Sequence, residues 1–261
     1  MNIENILVPT DFSKCADNAL SYAANIAKKI DAGIHLMYTE SSAYSYTALD
    51  RLNAQIDNEA VNDIDIRTVI EAGHPGPSIL KQIKETSADL VVMGNKGRSG
   101  GRMLFGSTTL KIISDSPVPV MAIPEKTGFK DLKQVVFATD YHTGDLTALS
   151  KIVNWARKFN SELHVFHVSL KDEADSNQRF GNFKEKAEEQ TDYDKLIFDR
   201  VVSESFFDGF SDYLDEHKIR LLVITRYKKS FIQQVVEKDH TKQIEYYSNV
   251  PLLVLNSEQS S

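Results

Sequence analysis

The sequence predicts an α/β protein built as two tandem copies of an open five-stranded parallel sheet covered by helices on both faces. Short apolar runs of strand length alternate with helical periodicity, at a spacing that requires crossover connections. A shift of 129 residues lays VPTDF at Val8 to Phe12 over FATDY at Phe137 to Tyr141, and IHLMYT at Ile34 to Thr39 over LHVFHV at Leu163 to Val168. Ala19 to Ser21 and Ala148 to Ser150 both read ALS, and SPVPVMAI at Ser116 to Ile123 resembles SNVPLLVL at Ser248 to Leu255. This period far exceeds that of solenoid repeats, so each copy is a whole domain. The expected domains are residues 1–125 and 130–257, joined by a linker at Glu125 to Gly128 that is too short for independent tumbling.

Taken in order, Asn5 to Val8 reads as a buried strand stopped by Pro9, and Asp11 or Ser13 caps a helix running to Ile30 through Ala19, Leu20, Ala23, Ile26 and Ala27. Strand two is Ile34 to Tyr38. Ser41 to Thr47 is polar and aromatic, Leu49 to Val61 is weakly helical, and Ile64 to Glu71 alternates as strand three. Gly73 to Pro77 turns before a short helix at Ser78 to Thr86. Leu90 to Met93 is strand four, Ser107 to Ile113 is a helix, and Val118 to Ile123 is strand five.

In such sheets ligands sit beyond the carboxyl ends of the strands, where the strand order reverses. Asp11 follows strand one and Gly94 follows strand four, so both fall at that crevice. Between them in chemistry lies the loop Gly94 to Thr109, which contains Lys96, Arg98 and Arg102; no carboxylate occurs between Asp89 and Asp115. In a chain of net charge -7 this local reversal of sign points to an anion, most simply phosphate, received by the free N–H groups and dipole of the following helix. Glycine at 94, 97 and 106 allows close backbone approach, and Ser107, Thr108 and Thr109 add hydroxyls. A tight turn with a solvated basic rim is the competing reading.

GNKGRSGGRMLFGST resembles the G-x-x-G-(nine residues)-G-[S/T] signature of ATP-binding universal stress proteins, with eight residues here between Gly97 and Gly106. The opening ILVPTDFS resembles that family's first strand and its Asp. The resemblance covers both halves, strongly over Asn5 to Ile123 and weakly over Gln134 to Leu255, and implies a Rossmann-like sandwich of the adenine nucleotide alpha hydrolase-like kind. It implies that Asp11 faces an adenine, that backbone at Tyr38 and Thr39 meets the base, and that Pro9, Thr10 and Met93 line the base and ribose pocket. Gly94, Gly97, Gly106, Ser107, Thr108 and Thr109 would surround ribose and phosphates. The implied ligand is ATP or a related adenine nucleotide, with or without Mg. The implied role is regulatory, with an unknown protein partner reading the occupancy; a scaffold that binds no nucleotide is the alternative.

The second copy lacks the glycine loop. After Leu221 to Ile224 it reads TRYKKSFIQQVVEKDHTKQI, placing Thr225, Lys228 and Lys238 opposite the three glycines, so it is not expected to bind nucleotide in the same manner. Side chains block the backbone there, and any dihedral needing positive φ becomes costly. Lys171 to Asp199, with Phe180, Phe183, Tyr193 and Phe198 among charges, reads as a solvated amphipathic helix, or as a partner-docking element.

No catalytic constellation is present: there is no G-x-x-x-x-G-K-[S/T], no G-x-G-x-x-G after strand one and no G-x-S-x-G. An enzyme is therefore not expected, slow ATP hydrolysis at most. His35 and His164 hold matching strand positions, but no Cys or second His lies at metal spacing. Cys15, the single cysteine, excludes an intramolecular disulfide and suits a reducing compartment; packing is its expected role. The composition, 41% hydrophobic and 26% charged, is that of a globular chain, and its acidity argues against nucleic acid or anionic membrane as partner. MNIENILVPTDF lacks a signal-peptide pattern and no apolar run approaches the roughly 20 residues of a membrane span, so the expected location is cytoplasmic. The two copies are expected to pair within the chain through their last strands; a homodimer of such chains is left open.

Overall fold

The computed structural model describes residues 1–40, 46–57, 61–97, 105–170, 174–226 and 249–256. By its contacts the chain falls into two compact units. One, here the N-terminal unit, is built on Asn2–Phe129 together with the last strand of the chain; the other, the C-terminal unit, is built on Lys130–Lys229.

The N-terminal unit runs β1 (Asn5–Thr10), α1 (Lys14–Ile30), β2 (Gly33–Glu40), α2 (Tyr46–Ile56), β3 (Ile66–Ala72), α3 (Pro75–Glu85), β4 (Leu90–Gly94), α4 (Ser107–Asp115) and β5 (Val120–Ile123). Its strands lie in the order β3-β2-β1-β4-β5, every pair parallel. The order therefore reverses between β1 and β4, which is where the sequence puts the crevice. β10 (Leu252–Leu255), read from the sequence as the last strand of the second copy, pairs antiparallel with β5, Leu253 opposite Met121.

α1 shows why the layers form. Its buried stripe is mostly small, Ala19, Ala23, Ala24 and Ala27 with Leu20, Ile26 and Ile30, so the helix lies close against the apolar strands β1 and β4. Ser13 is the N-cap, its Oγ accepting from the Ala16 N–H at 3.2 Å, and Asp31 ends the helix in the left-handed region at φ 61°. Several boundaries differ from the sequence expectation by a few residues, and two of the differences lie at prolines. Pro9 does not stop β1 but pairs with Met37 inside it; the β1–β4 ladder holds at Ile6 and Leu7, so no partner needs the missing N–H at residue 9. Pro75 opens α3 rather than lying in a turn before it, because its fixed φ suits a first helical position.

The C-terminal unit repeats the pattern: β6 (Gln134–Ala138), α5 (Thr143–Phe159), β7 (Glu162–Ser169), α6 (Ala174–Gln190), β8 (Leu196–Val202), α7 (Phe206–Glu216) and β9 (Leu221–Thr225). Its parallel strands lie in the order β9-β6-β7-β8. Where α1 packs alanines, this core packs aromatics: Phe137, Trp155, Phe159, Phe166 and Phe210 are fully buried. The charged stretch to Asp199 is not one helix. α6 turns Phe183 and Ala187 inward, and from Leu196 the chain is the edge strand β8, whose β-branched and aromatic residues outweigh its charges.

Candidate functional site

At the C-terminal ends of β1, β2 and β4 the N-terminal unit opens a cavity of about 580 Å³, within the range of small-molecule sites. Its geometry starts from a turn the sequence writes locally. Thr10 Oγ1 accepts from the Phe12 N–H at 3.0 Å, Phe12 adopts φ 59°, and Asp11 Oδ1 accepts from the Ser13 N–H at 3.0 Å. Asp11 and Ser13 thus take separate roles. Ser13 caps α1, while Asp11 is held in a local turn with Oδ2 toward Gly97. The Phe12 ring lies 4.6 Å from that of Tyr38 and carries the Arg51 guanidinium at 3.7 Å, which fixes this rim.

The opposite wall is the start and end of the glycine loop. Asn95, buried at the end of β4, donates its N–H to Ile123 O at 2.9 Å and accepts from the Gly106 N–H at 2.8 Å, so the two feet of the loop are tied together. Thr109 Oγ1 donates to Gly94 O at 3.0 Å. Gly106 is the N-cap of α4, and no side chain caps that helix end. Gly97 stands against Asp11: a Cβ there would lie 2.8 Å from Asp11 Oδ2. Gly94 stands against α1: a Cβ there would lie 2.7 Å from Cys15 Sγ.

Every residue that the resemblance implies for base, ribose and phosphates lines this one cavity: Pro9, Thr10 and Asp11 from β1 and its turn, Tyr38 and Thr39 from β2, Met93 and Gly94 from β4, then Gly97, and Gly106 to Thr109 on entering α4. Lys96 adds positive charge, and Phe105, 4% exposed, forms wall. Arg98, Arg102 and Met103, and the second-copy positions Lys228 and Lys238, lie outside the described residues. Sequence reading missed Ala16 from α1, Met37 from β2, and Pro75 and Ile79 from α3, which complete the apolar side. No local signal marks them, since an apolar wall residue and a core residue look alike in one sequence.

Cys15 is 3% exposed, its thiol directed to Asn95 Oδ1 at 3.3 Å and Ile123 O at 3.4 Å, and burial pushes its pKa up. It packs rather than reacts. His35, on β2, has its pKa lowered by burial and then by Arg67. Among the described residues no group of three His, Cys, Asp or Glu side chains could hold a metal ion, and no helix is long and apolar enough to cross a membrane.

Residues 2–124 match the profile of the universal stress protein family. A universal stress protein of Methanocaldococcus jannaschii is 28% identical over 138 residues, 46% of this chain and 81% of that protein. Universal stress protein A homolog 2 of Coxiella burnetii is 27% identical over 139 residues, 47% of this chain and 95% of that one. The crystal structure of a universal stress protein from Archaeoglobus fulgidus covers 98% of this chain and 97% of its own at a TM-score of 0.71 and 18% identity, a likeness of fold over both halves. With a matching profile over residues 2–124, two relatives that each align over about half of the chain and a shared α/β fold, the N-terminal half of this chain is similar to the universal stress proteins.

Proposed function

We propose that the cavity of the N-terminal unit binds ATP or a related adenine nucleotide and that the protein acts as a regulator whose occupancy a partner protein reads. The observation that carries this reading is the pairing, in one cavity, of an apolar side with a polar floor aimed at an anion. Pro9, Met37, Met93 and Ile79 offer surface to a purine, and Asp11 beside Tyr38 and Thr39 offers polar atoms at its edge. Across the cavity the uncapped start of α4, Ser107, Thr108 and Lys96 supply donors and positive charge for phosphates. Mg, when present, would be held chiefly by phosphate oxygens, since Asp11 is the carboxylate among the described lining residues.

Among the described lining residues none is set as a base for attack on a phosphate: Asp11 is engaged with the Ser13 N–H and lies by Gly97. The chemistry assigned is therefore binding, with at most slow hydrolysis of bound ATP. We place the domain boundary at the linker Glu125 to Gly128 and assign nucleotide binding to the first domain. Calorimetric titration of ATP into the full chain tests this. Saturable heat, lost in Gly97→Val, is expected; no heat and no thermal shift at millimolar ATP would leave the scaffold reading in its place.

A further inference from the structure

In the C-terminal unit a buried carboxylate stands at the place of the crevice, between the ends of two strands. The shift that superposes the two copies sets Asp145, in the first turn of α5, opposite Ala16, whose methyl group lines the N-terminal cavity. Asp145 is 1% exposed, as are Thr139 and Thr225. Its Oδ2 accepts from Thr139 Oγ1 at 2.8 Å and from the Asp140 N–H at 3.4 Å, and its Oδ1 accepts from Thr225 Oγ1 at 3.0 Å. Thr139 follows β6 and Thr225 ends β9, two adjacent parallel strands, so the carboxylate bridges the strand ends at which the other unit keeps an open space. Both oxygens are satisfied, and the start of α5 favours the negative charge.

The surroundings are rebuilt to suit. Thr225 stands where the other copy has Gly94, and Gly144 stands where it has Cys15, so the bulk has moved from the helix to the strand end. Thr139 keeps the turn of Thr10: its Oγ1 accepts from the Tyr141 N–H at 2.9 Å, and Tyr141 has φ 62°. The backbone of the crevice is thus retained while its space and its sign are changed.

We infer that the Asp145 carboxylate is a built-in anionic occupant of the second crevice, replacing an external ligand there and limiting the protein to one nucleotide per chain. The stoichiometry rests on the reading of the N-terminal cavity; the occupancy by Asp145 does not. The test uses the full chain and the fluorescence of Trp155, the single tryptophan, buried in α5. Asp145→Ala leaves a carboxylate-sized space and two buried hydroxyls without their acceptor, and is expected to lower the Trp155 melting midpoint by about 5–10 °C. Sodium formate should restore most of that loss where sodium chloride at equal ionic strength does not; if the variant folds only in formate, that is the same result.

Asp145→Asn, which fills the space without charge, should show no response to formate. Absence of formate rescue in the Ala variant, or an equal response in the Asn variant or the wild type, overturns the inference. In calorimetry the wild type should take one ATP. Two would overturn the inference and leave the N-terminal reading standing; none would sink that reading while the formate arm still decides on Asp145.

Discussion

Gly94, Gly97 and Gly106 look equivalent in the signature, but they do three different things. None of them has a positive φ; among the described residues only Gly73 is a glycine in that region, so steric room rather than conformation is what glycine supplies at these three positions. At Gly94 a Cβ would meet Cys15 Sγ at 2.7 Å and the Cys15 carbonyl carbon at 3.1 Å, and backbone cannot yield cheaply. Gly94→Ala should therefore cost about 1–3 kcal/mol, read by chemical denaturation, and Cys15→Ala should recover part of it by removing the sulfur, a coupling a double-mutant cycle measures. At Gly97 the obstacle is the Asp11 carboxylate, the end of a side chain that can swing away. Gly97→Ala should leave stability within about 0.5 kcal/mol of wild type yet weaken ATP binding, because Asp11 is displaced into the cavity; unchanged affinity would remove Asp11 from the site. Gly106 has its nearest neighbours at 3.6 Å or beyond, ordinary contact, so Gly106→Ala should be close to neutral in a melting experiment. The sequence showed which glycines gather at the crevice. It could not rank them, since the distinguishing contacts come from Cys15 and Asp11, some eighty residues earlier in the chain.

Between elements, the matched strands β2 and β7 carry matched histidines with different company. His164, 3% exposed, has Nδ1 2.6 Å from the Tyr213 hydroxyl of α7; that hydroxyl also donates to Asp199 of β8, and the His217 ring lies 5.0 Å away. Burial lowers the His164 pKa below 6.5, His217 lowers it further, and Asp199 and Glu162 oppose the shift. With the folded value below the unfolded one, the unfolded chain takes up the proton first. The stabilising contribution is then complete above pH 6.5 and is lost as pH falls through the folded value. Unfolding of the C-terminal unit, followed by Trp155 emission, should become easier as the solution is acidified below pH 6.5, and His164→Asn should flatten that slope; equal slopes would exclude His164 as the group responsible. Existence and order of the elements were legible because apolar runs and helical stripes are local. The misread parts were those decided by neighbours in space: Pro9 stays in β1 because no partner needs its N–H, and β8 is a strand despite its charges because β7 pairs along its whole length. The readable clue to the closed second crevice was Asp145 opposite Ala16, a polar residue at a repeat position where the first copy has a methyl group.

On the scale of the whole chain, the segment Pro124 to Phe129 is held against α1 and the N-terminal sheet is finished by a strand from far along the sequence. Asn18 donates to Pro124 O at 2.7 Å and Thr127 O at 2.8 Å, the Tyr22 hydroxyl donates to Gly128 O at 3.3 Å, and Phe129 packs edge-on against Tyr22 at 5.1 Å. Thr127 Oγ1 in turn donates to Asn249 O at 3.0 Å, just before β10. Leu252 to Leu255 are all buried, and β10 meets β5 from Val120 to Ala122. A fragment ending at Phe129 would keep β1 to β5 and the cavity lining but leave the β5 edge bare, with Val120, Met121 and Ala122 beside unpaired backbone groups. A bare apolar edge recruits another chain, and the burial it replaces is worth about 1.5–3 kcal/mol for each large side chain. Residues 1–129 should accordingly self-associate through β5 in light scattering coupled to size exclusion, and a charge placed on that edge by Met121→Lys should reduce the association at some cost in stability. A fragment that stays monomeric at tens of micromolar and melts like the full chain would mean that β10 is dispensable, and that the first copy closes its sheet without the last strand of the chain.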